Sequence, residues 1–260
     1  MNLTIIDFTS LIYSASFNTA KTGSELFTDY TDNLNFYLNN VLKDTNADAF
    51  IIFIDTHSSF CKEMYASYKA TRTKMYFKFL NDLTHYSKEV LGAISVDGLE
   101  ADDLVLIHAN EYKDLFNITI AYKDKDLLQM EGKFFDYKRY KNNQTIEEAT
   151  IILTKEQADL NLYTQCLKGD SVDNIKGLIG CGEQTAKTYF QNVEVTFENT
   201  KEAFVKGIPK ELGGRFVGKS FYGIIDFYKA FNQVYLLRTQ HEAAIKGLPF
   251  ELVTPSYINV

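Results

Sequence analysis

Carboxylates recur in this chain where they could act together. Three near-continuous apolar runs end on acids: residues 3–6 on Asp7, residues 49–54 on Asp55, and residues 117–121 just ahead of Asp124 and Asp126. Glu100, Asp102 and Asp103 precede the apolar positions Leu104, Val105 and Ile107, and Asp170 and Asp173 lie three apart before a glycine-rich turn. Gathered in one place, these nine acids would repel one another prohibitively unless cations neutralised them. Oxygen donors without His or Cys select hard ions, Mg2+ or Mn2+. Nine carboxylates are too many for one Mg2+, which keeps most of its waters. They suit two ions roughly 4 Å apart, one generating hydroxide and the other stabilising a leaving oxygen.

The elements that must position them follow from the apolar spacing. Unbroken apolar runs separated by helix-period segments, such as Leu34, Tyr37, Leu38, Val41 and Leu42, predict a mainly parallel sheet covered by helices. In such sheets ligands bind outside the carboxyl ends of the strands, where these acids fall. Glu100, Asp102 and Asp103 are predicted in the first turn of a helix. Acids there are also favoured simply by the helix dipole and by capping. Likewise, Asp170 and Asp173 could belong to an ordinary Asp/Asn/Gly loop.

The 260 residues carry a net charge of −7, 45% hydrophobic residues and 3 Pro, which excludes a disordered or collagen-like chain. No apolar run reaches the length of a membrane span, and MNLTIIDFTS has no basic leader, so no membrane partner is expected. Three widely spaced cysteines, Cys61, Cys166 and Cys181, give neither a disulfide framework nor a zinc pattern, and a reducing cytoplasm is expected. The acidic balance would argue against nucleic acid. Setting nine metal-bound acids aside, however, leaves the remainder at +2, which is compatible with a DNA partner.

Two further segments could hold phosphate. Between Cys61 and Leu80 the bases Lys62, Lys69, Arg72, Lys74 and Lys78 face only Glu63, a local +4 interleaved with Tyr65, Tyr68, Tyr76, Phe77 and Phe79. Bases with aromatics suit the threading and stacking of a single strand, although some of these rings could equally be core. Lys69 and Arg72, three apart, are predicted on one face of a helix. Farther on, residues 175–186 place Lys176, Gly177, Gly180, Gly182 and Thr185, with Lys187 following, in the order of a helix-hairpin-helix. Its glycines permit a tight turn, and its exposed amides suit phosphate oxygens.

The segments LTIIDFTSLIY, FIDTHSSFCKEMYASYKATR, GLEADDLVLIHA, YKDKDLLQM and LKGDSVDNIKGLIGCGEQTA resemble, in order, the motif blocks of the 5′ nuclease (flap endonuclease) superfamily over roughly residues 1–190. Stand-alone bacteriophage 5′–3′ exonucleases, including those called RNase H, are the most similar in style. The resemblance implies a PIN-like α/β core over residues 1–160, including an arch or clamp at 61–90. It implies a helix-hairpin-helix region with C-terminal helices over 161–260. Asp7, Asp55, Glu100 and Asp102 match the family's first metal site. Asp124, Asp126, Asp170 and Asp173 match the second, with Asp102 shared and Asp103 completing the acidic triplet. Lys69 and Arg72 match the catalytic basic pair. The activity implied is a two-metal 5′–3′ exonuclease and flap endonuclease acting on 5′ flaps, nicks, free 5′ ends and RNA–DNA hybrids. Primer removal in replication, by a monomer working with replication proteins in trans, is the expected task; the location is the cytoplasm, that of the host if the chain is viral.

Three alternatives remain. A PIN-like RNA nuclease shares strand-end acids but does not need the hairpin, and a non-catalytic DNA-binding protein would not need the acids. Residues 213–220, GGRFVGKS, satisfy the literal P-loop pattern but lack the preceding buried strand that a nucleotide site requires. The stretch 193–220, with Lys206, Lys210, Arg215 and Lys219, could extend a duplex contact or be a solvated loop.

Overall fold

The computed structural model describes residues 1–56, 58–72, 77–138, 144–213, 223–248 and 250–258. Strands β1 (Asn2–Asp7), β2 (Ala49–Phe53), β3 (Asn117–Tyr122), β4 (Gly132–Asp136), β5 (Thr150–Leu153) and β8 (Ser256–Tyr257) form one sheet in the order β5-β4-β3-β1-β2-β8. The four inner strands are parallel, and both edges are antiparallel. Helices α1 (Thr9–Lys21), α2 (Phe27–Asp44), α3 (Phe60–Met64), α4 (Leu80–Glu89) and α5 (Ala101–Tyr112) alternate with the first strands.

Alternation along each strand makes two cores. Leu3, Ile5, Ile51, Phe53, Ile120 and Phe134 face α5, whose Leu104, Val105 and Ile107 are buried. Ile6, Ile52, Ile54, Ala121 and Phe135 face the opposite side, with Leu11, Ile12, Leu34 and Leu83 of α1, α2 and α4. Covered on both faces, the strands can be apolar throughout, which explains their unbroken runs. The register pairs Ile6 with both Ile52 and Ala121, so the β1, β2 and β3 carboxyl ends lie level.

A short helix α6 (Ile146–Ala149) precedes β5, and α7 (Lys155–Lys168) then leads from the sheet into a helical region. Leu162 of α7 packs in the sheet core, whereas Cys166 and Leu167 enter a third core. That core also holds Ala186, Tyr189 and Phe190 of α8 (Glu183–Asn192), Ala203 and Phe204 of α9 (Phe197–Lys206), and Phe227 and Ala230 of α10 (Ile224–Val234). Between α7 and α8, β6 (Gly169–Asp170) pairs with β7 (Ile175–Lys176). Gly169, at φ +69°, and Gly177 approach so closely that a Cβ on either would collide with the other's backbone. After α11 (Gln240–Ile245), the C-terminal segment crosses the sheet edge; the buried His108 ring accepts the Val253 amide at 3.2 Å. Burial lowers the His108 pKa to about 4, so the neutral ring persists near neutrality.

Among the described residues no helix is long and apolar enough to cross a membrane, and all three cysteines are free and buried. Gly213, at φ +89°, follows a 3-10 turn (Lys210–Leu212) rather than a strand, so the described part of the P-loop pattern lacks the required strand. Residues 214–220, with Arg215 and Lys219, lie outside the described residues.

Candidate metal centre

The first carboxylates are placed by strand ends and one helix terminus. Asp7 closes β1 and is buried at 4% exposure. The chain turns at Phe8 straight into α1, and Ser10 in that first turn hydrogen-bonds the Asp7 carboxylate through its side chain and backbone. The Tyr137 hydroxyl holds the Asp7 carbonyl at 2.9 Å. Asp55, two residues past β2, accepts the Ala101 amide at 2.8 Å, tying this strand end to the first turn of α5. Asp124 follows β3 and accepts the Asp126 amide at 3.2 Å. Asp7 and Asp102, the latter in the first turn of α5, each lie within electrostatic reach of the other, of Asp55 and of Asp124.

Electrostatics record that crowding. Burial, reinforced by Asp55 and Asp124, raises the Asp7 pKa to about 7. Burial, then Asp7 and Asp55, hold Asp102 well above the usual carboxylate range. Asp55 keeps solvent-accessible surface, yet the protein packed around its carboxylate raises its pKa; the Ala101 amide opposes this, and Glu100 adds to it. Burial, with Asp124, Asp170 and Asp173, raises Asp126 to about 7. Its buried Oδ1 has no hydrogen-bond partner.

Two cations answer this charge from the chain between α3 and α4. Lys69 Nζ lies 2.7 Å from Glu100 Oε2, and Arg72 Nε lies 2.6 Å from Asp173 Oδ1. Burial would raise Glu100, but the Lys69 ion pair and the hydrogen bonds from Lys69 and Tyr68 outweigh it and lower its pKa. At Asp173 burial prevails over Lys69 and Arg72, and the pKa is raised. The expected helix carrying Lys69 and Arg72 is not formed: α3 stops at Met64, and residues 66–71 are turns with Lys69 at φ +54°. Left-handed backbone at a lysine is strained, and it is held by the Lys69 amide donating to the Asp173 carbonyl at 2.9 Å. This turn pairs Lys69 with Glu100 and Arg72 with Asp173.

Two expected site residues have other roles. Asp103 Oδ1 accepts the Leu237 amide at 2.9 Å, and Oδ2 accepts the Glu100 amide at 3.3 Å. Its carboxylate therefore caps α5 and anchors the chain after α10, instead of joining Asp102. Tyr68, expected against a nucleic-acid strand, is buried at 7% exposure and donates to Glu100 at 3.1 Å, so its ring is closed to base stacking. Lys62 lies near enough to act on Asp55 and Glu100. Lys74 lies outside the described residues.

The hairpin residues sit apart from these groups. Asp170 bridges, its Oδ1 accepting the Val172 and Asp173 amides at 2.7 and 3.3 Å. Gly182 starts α8 without a side-chain cap, leaving its first amides exposed, and the space where its Cβ would stand is open. Gly180 takes φ +74°, Thr185 lies in the first turn of α8, and Lys176 is exposed. Lys187 pairs with Glu183 at 2.8 Å, so its charge is partly spent.

Among the described residues, no three His, Cys, Asp or Glu side chains close on one point as a ready metal cage. Lys69 and Arg72 already occupy two of the acids, Glu100 and Asp173. The donor set nevertheless fits hard divalent cations. It is all oxygen, its pKa values are raised by its own members, and Asp126 Oδ1 is a buried acceptor with no donor. Sequence reasoning missed Ser10, Tyr137 and Gln165, which hold Asp7 and Asp126. Ser10 is readable as the polar residue opening a helix after a strand-end acid; Tyr137 and Gln165 carry no local signal.

A family model described as the 5′-3′ exonuclease, N-terminal resolvase-like domain matches residues 2–157. The 5′-3′ exonuclease of Mycoplasmopsis pulmonis is 29% identical over 160 residues, which are 58% of this chain and 54% of that protein. The chain thus spans about half the length of that relative. The 5′-3′ exonuclease of Bacillus subtilis is 27% identical over 218 residues, 74% of this chain and 70% of that protein. Among solved structures, a bacteriophage T5 flap endonuclease in a pseudo-enzyme–product complex with DNA and metal ions superposes with a TM-score of 0.65 at 17% identity, covering 95% of this chain and 92% of that one. The catalytic core of Rad2 in complex with DNA substrate gives a TM-score of 0.52 at 13% identity, covering 97% and 80%. At those identities the likeness is one of fold. The strand-end acids, their helix-terminal companions and the match over residues 2–157 together establish that the chain belongs to the 5′-3′ exonuclease N-terminal resolvase-like domain family.

Proposed function

We propose that the protein is a metal-dependent, structure-specific 5′ nuclease: a 5′–3′ exonuclease and flap endonuclease hydrolysing phosphodiester bonds near 5′ ends and junctions of DNA or RNA–DNA hybrids. The reading is carried by the mutually repelling carboxylates Asp7, Asp55, Asp102, Asp124 and Asp126, with Lys69 and Arg72 paired to the neighbouring Glu100 and Asp173. Asp7, Asp55, Glu100 and Asp102 would hold one ion, and Asp124, Asp126, Asp170 and Asp173 a second, with Asp102 between them. Two Mg2+ ions, with Mn2+ able to substitute, would supply an activated water and neutralise the leaving oxygen.

The chain's own residues do the rest. Lys69 and Arg72 place positive charge where a scissile phosphate gains negative charge in the transition state. Ser10 and Tyr137 fix Asp7, so the cleft does not have to reorganise during reaction. The uncapped N-terminus of α8, with Gly180, Gly182, Thr185 and Lys176, would hold duplex phosphates and set register without reading sequence. Residues 1–160 would form the nuclease core and residues 161–260 the duplex-binding region. Primer removal and flap processing during replication, by a cytoplasmic monomer with replication proteins in trans, follow from this reading.

Single-turnover cleavage of a 5′-flap duplex, with product ends mapped in Mg2+ and in chelator, tests it. Metal-dependent cutting near the junction is expected. Binding without cutting overturns the enzyme in favour of a DNA-binding protein, and cutting of single-stranded RNA alone favours a PIN-like RNA nuclease.

A further inference from the structure

The turn that carries Lys69 is fastened to the helical region as well as to Glu100. The Ser67 carbonyl accepts the Ala70 amide at 3.2 Å, closing a four-residue turn in which Lys69 stands third. Lys69 takes φ +54° there, a conformation that ordinarily calls for Gly or Asn. The same Ser67 carbonyl accepts Asn174 Nδ2 at 2.9 Å, and the Lys69 amide donates to the Asp173 carbonyl at 2.9 Å. At the near end of the turn, Asn232 Nδ2 of α10 donates to the Tyr65 hydroxyl at 3.2 Å. Asn174 is itself left-handed, at φ +57°, directly ahead of β7. Asn tolerates this backbone, and Gly does too, but Gly has no amide to donate.

We propose that Asn174 is a positioning residue for the nuclease reaction: its side-chain amide, seated on the Ser67 carbonyl, holds the turn that aims Lys69 at a phosphate bound beside the carboxylates. The proposal rests on the nuclease reading and adds what places one of its cations. A left-handed lysine persists only where surrounding bonds over-determine it. The Asp173 carbonyl supplies one such bond and the Asn174 side chain another, and both residues belong to the loop between β6 and β7. The Lys69–Glu100 ion pair fixes only the ammonium end, because the lysine stem is flexible and leaves the backbone path open. Asn174 donates to backbone rather than to a carboxylate, so its effect on the chemistry passes through the turn.

The test uses Asn174→Gly, which keeps the left-handed backbone accessible and removes the donor. In chelator and without nucleic acid, hydrogen exchange at the Lys69 amide is expected to accelerate about tenfold. Affinity for a nicked duplex should stay within about twofold, because the hairpin amides are untouched. In Mg2+ the saturating single-turnover rate on a 5′-flap duplex is expected to fall about tenfold. In a Lys69→Ala background the same substitution should cost less than about twofold, because the group it positions is gone. Unchanged exchange at Lys69, equal rate losses in the two backgrounds, or a loss of duplex affinity as large as the loss of rate overturns the assignment. The two readings fail separately. Exchange that follows Asn174 in a protein that cuts no flap removes the nuclease alone, and full-rate cutting by Asn174→Gly removes the positioning role alone.

Discussion

The Lys69 ammonium stands 2.7 Å from Glu100 Oε2 and 4.9 Å from the centroid of the Tyr68 ring, in a pocket where both partners are largely buried. A cation so placed serves as counter-ion to a carboxylate that a divalent ion would also use. Lys69→Ala is therefore expected to destabilise the chelated protein by about 3 kcal/mol, because it leaves Glu100 buried without its partner. Added Mg2+ should recover most of that loss, and single-turnover cleavage should fall about 100-fold or more. Thermal melts with and without Mg2+, alongside cleavage rates, check this; a melt insensitive to the substitution in chelator contradicts it.

Neighbouring acids of α5 should separate cleanly. Asp102→Asn is expected to abolish cleavage while leaving duplex binding nearly intact, and to hold or raise stability in chelator by removing one repelling charge. Asp103→Asn keeps only one of two carboxylate acceptors, so it should cost about 1–2 kcal/mol while retaining cleavage in the folded protein. Denaturant melts and cleavage assays on the pair decide this, and loss of cleavage by both at full folding would return Asp103 to the metal set.

The raised carboxylates set a pH dependence. Asp7 and Asp126 titrate at about 7 in the fold, against 3.8 ordinarily. Between those values the folded state binds protons that the unfolded chain has lost, so their contribution to stability declines as pH rises from about 4 through 7 and then levels off. The metal-free protein should therefore melt lower at pH 8 than at pH 5.5. Mg2+ should raise the pH 8 melt more, and its binding should release protons. Calorimetry in buffers of different ionisation enthalpy counts those protons; an uptake instead of a release would contradict the assignment.

The hairpin glycines should divide by role. A methyl at Gly177 would collide with the backbone at Leu167, Lys168 and Gly169, so Gly177→Ala should cost more than about 2 kcal/mol. Gly182→Ala enters open space at an ordinary φ of −89°, so the fold should be unchanged. Any loss of duplex affinity at low salt in Gly182→Ala then reports phosphate approach alone. Unchanged affinity would remove the start of α8 from the interface.

The parallel strands and the acids that end them were legible in the sequence, because burial on both faces forces unbroken apolar runs and the chain must leave a strand where the run stops. The same local logic placed Glu100, Asp102 and Asp103 in one helix turn, and the close-packed glycines around Gly177 in a tight turn. Spacing alone could not tell Asp102 from its neighbour: the two differ only in what tertiary contact supplies, other carboxylates for one and the Leu237 amide for the other. Nor could it show that Lys69 adopts φ +54°, since a helix is the local default for that stretch and the Asp173 carbonyl, distant in sequence, helps hold the turn. Tyr68 sits in a segment whose composition reads as exposed and basic, yet Glu100, thirty-two positions away, draws it inside. Residue type and local period thus determined which groups could do chemistry and on which elements they stand. Only the folded chain decided which of those groups meet, because that depends on partners distant in sequence and on the direction each side chain takes.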